Sequence, residues 1–324
     1  MQTPAHQEQR TSPRVTIGLP VYNGEAFVGR AIDSILGQSF GELELIITDN
    51  CSTDATESIC RSYESTDPRV RYIRNSENIG VIANFNKVFE IATGEYFKWA
   101  ASDDICHPEM IQHLVGALDD NPTAVMAVPQ ARIFENHPEN VYAGVEEGKS
   151  AIVNQNSVVD YDMRLFSVNP MDRFRAVLQT DHPGTVIYSL IRSSALRETG
   201  LHQVEGSDRL LLSELALKGE YVLVDRQLFF RRIHDMNIDR SRREYVAMVH
   251  GEDHPGLLTP PWRWPFNYIR TILKSRLSVP TKLQASAMVV AHSFRPRFIR
   301  KFLVPGPENY WGITRDKLRL VYIL

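Results

Sequence analysis

Two adjacent carboxylates, Asp103 and Asp104, follow an apolar run in the stretch YFKWAASDDI, Tyr96 to Ile105. Side-by-side acids repel, and each prefers water to the end of a buried strand. A divalent cation turns that repulsion into coordination, so divalent-cation binding is the first chemistry to consider. A helix start is the other reading, because acids favour helix N-termini and Pro108 follows closely. Polar and turn-forming residues recur after other apolar runs. Pro20, Tyr22 and Asn23 follow VTIGL, Asp49 and Asn50 follow LELIIT, and Asn78 with Gly80 follows VRYIR.

The elements that must position these residues alternate along the chain. Strands are predicted at 15–19, 43–48, 70–74, 95–100 and 124–128. Helices are predicted from about Glu25 to Gly37, from Thr53 to Ser65 with Ser52 or Thr53 as N-cap, over 81–93, and from Pro108. In the 81–93 segment Ile82, Phe85, Val88, Phe89 and Ala92 recur at helical spacing. Strand–helix alternation predicts an α/β fold with a mostly parallel central sheet flanked by helices. Ligands of such sheets sit beyond the carboxyl ends of the strands, where the polar residues above gather. Later segments predict a polar excursion over 135–157, a helix over 171–180 and a strand over 184–192. An amphipathic helix over 207–219 and two closing strands, YVLVD and LFFRRIH, complete the pattern.

Composition is that of an ordinary globular chain: 324 residues, 43% hydrophobic and 23% charged. The first thirteen residues read as a flexible polar arm, not a signal peptide, and no apolar run reaches the roughly 18 residues of a membrane span. The three cysteines, Cys51, Cys60 and Cys106, form no metal-type pair and predict reduced thiols in a cytoplasmic protein. No GxGxxG follows the first strand and no P-loop occurs, which removes the main support for dinucleotide and P-loop readings. The net charge of −3 hides an asymmetry: from Gly256 onward twelve Lys and Arg face two acids. That basic, aromatic tail suits an anionic membrane surface, or packing on the acidic remainder; nucleic acid is not an expected partner.

VTIGLPVYNGEAFVGRAIDSILGQSF, IITDNCSTD, NIGVIANFNKVFEIATGEYF and SDDICHPEMI occur in that order. In order and spacing they resemble the family-2 glycosyltransferases of the GT-A fold, in detail over residues 14–130 and more loosely to about 240. The resemblance implies a Rossmann-like nucleotide-sugar-binding half at 14–130 and an acceptor-binding half at 131–240. A basic C-terminal helical extension covers 241–324. It implies Asp104 as metal ligand, with Asp103 at the ribose or the metal's water shell, and His234 as a further ligand. Pro20, Tyr22 and Asn23 match the loop that holds the nucleobase, and Asp49 with Asn50 stands where relatives carry paired acids. Asn78 and Gly80 shape the crevice floor. Asp208 matches the family's catalytic base, with capping of the following helix as its structural alternative and Glu205 as the nearest substitute. His182 begins the acceptor-side segment.

Three departures qualify the match. Ala101 stands where the DxDD pattern has a further acid, Asn50 where an acid is usual, and Phe85 where many relatives have a phosphate-binding arginine. Arg74, Lys87, Arg231 and Arg232 are the candidates to supply that charge. Cys106 reads as a buried thiol, and its neighbour His107 is poorly placed to serve it as a base. The activity that the resemblance implies is Mg²⁺- or Mn²⁺-dependent, inverting transfer of a sugar from a nucleoside diphosphate, UDP-linked, to a saccharide or lipid-linked acceptor. Cell-surface polysaccharide synthesis at the cytoplasmic membrane face is the expected setting. The alternatives are a sugar nucleotidyltransferase and a catalytically silent GT-A-like binding protein.

Overall fold

A computed structural model describes residues 13–135, 158–179, 183–202, 207–233, 263–275 and 277–294. His182, Glu205, His234, the excursion over 136–157 and nearly all of the N-terminal arm lie outside these residues. The chain begins with β1 (Val15–Val21), α1 (Val28–Leu36), β2 (Leu43–Asp49), α2 (Thr56–Thr66) and β3 (Val70–Arg74). It continues with α3 (Val81–Glu90), β4 (Tyr96–Trp99), β5 (Ile105–Cys106), α4 (Met110–Asp120) and β6 (Ala124–Glu135). A 3-10 turn at Met163–Phe166 precedes α5 (Pro170–Gln179), α6 (Pro183–Val186), β7 (Leu190–Arg192) and α7 (Ser193–Arg197). Last come α8 (Ser207–Lys218), β8 (Glu220–Ile233), α9 (Arg263–Lys274) and α10 (Val279–Ser293).

One eight-stranded sheet runs in the order β3-β2-β1-β4-β7-β6-β8-β5. Strands β3, β2, β1 and β4 are mutually parallel, as the short apolar runs predict. Every residue of β1 is buried, Thr16 included, so both faces of the strand are covered. On α1, Val28, Ala31, Ile32 and Ile35 face the core, recurring three and four residues apart as one helical stripe. Beyond β4 the antiparallel β7 intervenes, then β6 and β8 pair in parallel.

The structure corrects several expected boundaries. The cap of α2 is neither Ser52 nor Thr53 but Ala55, whose N–H donates to Glu25 Oε2 at 2.9 Å. Ser52 and Thr53 are instead spent on cross-loop bonds to Asp49 and Asn23. The strand expected over 184–192 shrinks to Leu190–Arg192, because Pro183 opens a helical turn before it. The two closing strands are one, β8. Its partners jump from Val224 to Gln227 opposite the consecutive Pro129 and Gln130, so a bulge bends the strand without ending it. Helix α8 is apolar on two sides, not amphipathic. Leu211, Leu212 and Leu215 join the main core, while Leu210 and Leu217 join a second cluster with α5, α9 and α10.

Candidate active site

The crevice opens where β4 leaves β1. Their pairing ends at Gly18 and Trp99, closed by the Ala100 N–H donating to the Gly18 carbonyl at 2.8 Å. β1 runs on to Val21 beside β2 alone. Pro20 stands two residues past Gly18 and so faces the side that β4 has vacated, where a missing N–H orphans no partner. Tyr22 follows, 36% exposed, and Asn23 turns the chain at φ 49°. Asn23 is fastened to the β2 loop: its N–H donates to Ser52 Oγ at 2.9 Å, and its Oδ1 accepts the Thr53 N–H at 2.9 Å.

Asp49 and Asn50 form the floor behind that turn. Asp49 is fully buried and holds four donors. The Ser52 N–H (2.9 Å) and hydroxyl (2.5 Å) reach one oxygen, and the Tyr72 hydroxyl (2.5 Å) and Arg74 Nη1 (2.9 Å) reach the other. Asn50 Oδ1 accepts the Ile79 N–H at 3.0 Å and Asn75 Nδ2 at 3.1 Å. Its Nδ2 donates to Asn78 Oδ1 at 2.6 Å, which also accepts the Gly80 N–H. Both side chains therefore shape the backbone of the crevice. Arg74 belongs to the same network through the Ser52 carbonyl (2.9 Å), and Lys87 donates to Asn75 Oδ1 at 2.6 Å. Phe85 is partly buried against the core.

The acid pair is held by β5. Ile105 pairs antiparallel with Phe230 and Cys106 with Phe229, which brings Asp103 and Asp104 beside Arg231 and Arg232. Asp104 caps no helix: α4 begins at Met110, and the Asp104 carboxyl is buried, accepting the Arg232 N–H at 2.9 Å. The Arg232 guanidinium donates to the Asp103 carbonyl at 2.8 Å and lies between the Phe27 and Phe134 rings. Burial, with the neighbouring Asp103 charge adding to it, raises the Asp104 carboxyl well above the usual carboxylate range. Arg231 and Lys98 pull the other way. Cys106 is a buried thiol outside any disulfide, pushed up by burial, and His107 Nδ1 accepts from the Glu109 N–H at 3.3 Å.

Asp208 stands in the first turn of α8, its side chain 39% exposed. A Cβ placed on Gly184 would lie 3.8 Å from Arg231 Nη2 and 3.9 Å from Asp208 Oδ2, so these two groups flank that glycine. Arg231 Nη1 donates to Thr185 Oγ1 at 3.3 Å. Of the four candidate cations, Arg231 is the one set beside both the acid pair and Asp208. Arg74 and Lys87 are tied to the crevice floor.

Two residues at this centre escaped the sequence reading. His202 Nδ1 lies 3.4 Å from Asp208 Oδ1, with its buried ring edge-on to Trp99 and Phe85. Lys98 is wholly buried; its Nζ donates to the Trp99 carbonyl at 2.9 Å and faces the Phe229 ring. A lysine inside the apolar run YFKWA was the available signal for Lys98. His202 had none, because its partner is set by packing. Among the described residues, no three His, Cys, Asp or Glu side chains gather into a ready-made metal cluster.

Known proteins resemble this chain. Solved structures of S. aureus TarS superpose on most of the chain. With the UDP-GlcNAc complex the TM-score is 0.60 at 16% identity, over 92% of this chain and 77% of that one. That likeness shows the GT-A-type fold. An uncharacterized glycosyltransferase of Rickettsia typhi is 36% identical over 117 residues, 36% of each chain. Bacillus subtilis TuaG, named for teichuronic acid biosynthesis, is 38% identical over 92 residues, 28% of this chain and 36% of that protein. The matched segment thus spans about a third of these relatives' length. The model of glycosyl transferase family 2 matches residues 16–198, more than half of the sequence, and the chain belongs to that family.

Proposed function

We propose that the protein is a metal-dependent, inverting glycosyltransferase. It moves a sugar from a nucleoside diphosphate, UDP-linked, to a saccharide hydroxyl, borne on a lipid carrier or growing surface polysaccharide. The observation that carries this reading is the meeting of Asp103, Asp104, Arg231 and Asp208 at the strand ends, in a chain of this family. The names of TuaG and of the TarS complexes support the polymer and the UDP donor. A lipid-borne acceptor sets the enzyme at the cytoplasmic face of the membrane.

In this reading Asp208 is the base. Its carboxylate takes the acceptor hydroxyl proton as the oxygen bonds to the anomeric carbon from the face opposite the leaving group. The bond from that carbon to the phosphate oxygen breaks, its electron pair leaves with the diphosphate, and the configuration inverts. Arg231 balances charge on the diphosphate. Tyr22 and Asn23 face the base and ribose over the loop that Pro20, Asp49, Asn50, Asn78 and Gly80 shape. Asp104 and Asp103 fit a hard cation, since both offer carboxylate oxygens and the raised Asp104 carboxyl gains from a nearby positive charge. Mg²⁺ or Mn²⁺ there supplies Lewis acidity toward the leaving diphosphate. Two adjacent carboxylates are a small donor set, so ion binding depends on the nucleotide's own oxygens; His234 is a further ligand in this proposal.

Calorimetric titration of UDP, GDP, dTDP and CDP, each with and without Mn²⁺, tests the reading. Metal-dependent binding of one nucleotide, abolished in Asp104→Ala, is expected. Binding that ignores both the metal and the substitution would reject the proposed metal site.

A further inference from the structure

Helices α9 and α10 form a hairpin whose two helices each carry a second apolar face. Inward, Tyr268 and Ile272 of α9 and Ala285 and Val289 of α10 pack against Phe174 and Leu178 of α5 and Leu210 of α8. Outward lie Phe266, Leu273, Val279, Leu283, Val290 and Phe294, six of the ten large apolar side chains exposed among the described residues. Leu273, Val279 and Leu283 are 61–71% exposed. On α10 the outward residues recur at i, i+4, i+11 and i+15, one helical face set well away from the buried one. Since the inward faces share one layer of α5 and α8, the outward faces look away from the protein together.

The charge on this hairpin is of one sign. Between Arg263 and Phe294 there are five Lys and Arg and no Asp or Glu. Arg270 and Lys274 are exposed beside the outward face of α9. We infer that this face docks on the surface of an anionic lipid bilayer, lying in its plane with the apolar residues among the acyl chains and the basic ones at the headgroups. The helices have 12 and 15 residues, and no helix among the described residues is long and apolar enough to cross a membrane. A second copy of the chain is a poorer occupant, because a symmetric contact would gather Arg270 and Lys274 of both copies in one interface with no acid on the hairpin to pair them. The hairpin packs on α8, whose first turn carries Asp208, so docking would hold the acceptor side of the crevice to the lipid surface. As a route to a lipid-borne acceptor this rests on the function proposed above; as a surface it stands on the hairpin alone.

The test is flotation of the full chain with vesicles of equal parts phosphatidylglycerol and phosphatidylcholine, against phosphatidylcholine alone. Nucleotide titration and sedimentation are run on the same preparations. The native chain is expected to float with the anionic vesicles and release at high salt. Arg270→Glu/Lys274→Glu should lower partitioning at least tenfold, each basic residue being worth about fivefold at such a surface. Leu273→Glu/Leu283→Glu should abolish it, with circular dichroism and nucleotide binding unchanged in both variants. A native chain that binds nucleotide yet ignores anionic vesicles overturns the surface and leaves the enzyme reading standing. A dimer that Leu273→Glu/Leu283→Glu dissociates, or vesicle binding that appears only after truncation beyond Phe294, overturns it by naming a second copy or the tail as the occupant. Vesicle binding without any nucleotide binding supports the surface and rejects the enzyme reading.

Discussion

At Asp208 two neighbours of opposite kind set what the carboxylate can do. His202 Nδ1 at 3.4 Å from one oxygen orients it, while the Arg231 guanidinium approaches from the Gly184 side. A carboxylate steadied by a buried ring on one side loses less freedom when an acceptor arrives, which favours proton transfer in the proposed single displacement. Asp208→Asn keeps the shape and removes the proposed base. It should lower kcat by about 10²–10⁴ with nucleotide affinity unchanged, read from steady-state rates beside calorimetry. His202 carries a second consequence. Burial lowers its imidazole below the ordinary value, the Asp208 charge only partly opposing this. As pH falls, the unfolded chain therefore takes up the proton first, so stability present above about pH 6.5 is lost below it. Urea unfolding at about pH 7.5 and about pH 5.5 should show a smaller loss in His202→Gln than in the native chain. Equal losses would mean that the imidazole is not held neutral by its surroundings.

Elements whose burial is one-sided or complete were legible in the sequence; those shaped by a second contact were not. β1, β2 and β4 read correctly because both faces are covered, and α1 because its apolar stripe has one target. α8 read as amphipathic, yet Leu210 and Leu217 serve a cluster that forms only when α9 and α10 arrive. The start of α2 was misplaced because Glu25, from the β1–α1 connection, supplies the capping acceptor. At the head of α3 the signal was local and was read: Gly80 adopts φ 81° and ψ 157°, a conformation reserved for glycine, just before the helix begins. Gly80→Ala should cost about 1–3 kcal/mol in urea unfolding. It should also weaken nucleotide binding, because the Gly80 N–H shares Asn78 Oδ1 with Asn50. A stability cost with unaltered nucleotide affinity would detach this loop from the site.

Across the whole molecule, the acid pair was visible because adjacent carboxylates after an apolar run break a local rule. Its setting was not, since the Asp104–Arg232 bond joins residues 128 apart through the pairing of β5 with β8. The same distance effect produces the two larger apolar clusters, one around the parallel strands and one beneath the C-terminal hairpin. Helices α5 and α8 are shared: Ala176 and Val177 face the first, Met171, Phe174 and Leu178 the second. Ile272, fully buried in the second cluster, is the place to separate them. Ile272→Ala should cost about 2–5 kcal/mol where it is felt. If the clusters open independently, amide exchange should accelerate in α5, α8, α9 and α10 while β1, β2 and β3 stay protected, with nucleotide affinity retained. The helix carrying Asp208 would then lose its brace and turnover would fall without loss of donor binding. Uniform acceleration, β1–β3 included, would instead show one cooperative unit, in which the hairpin supports the parallel strands as much as it supports α8.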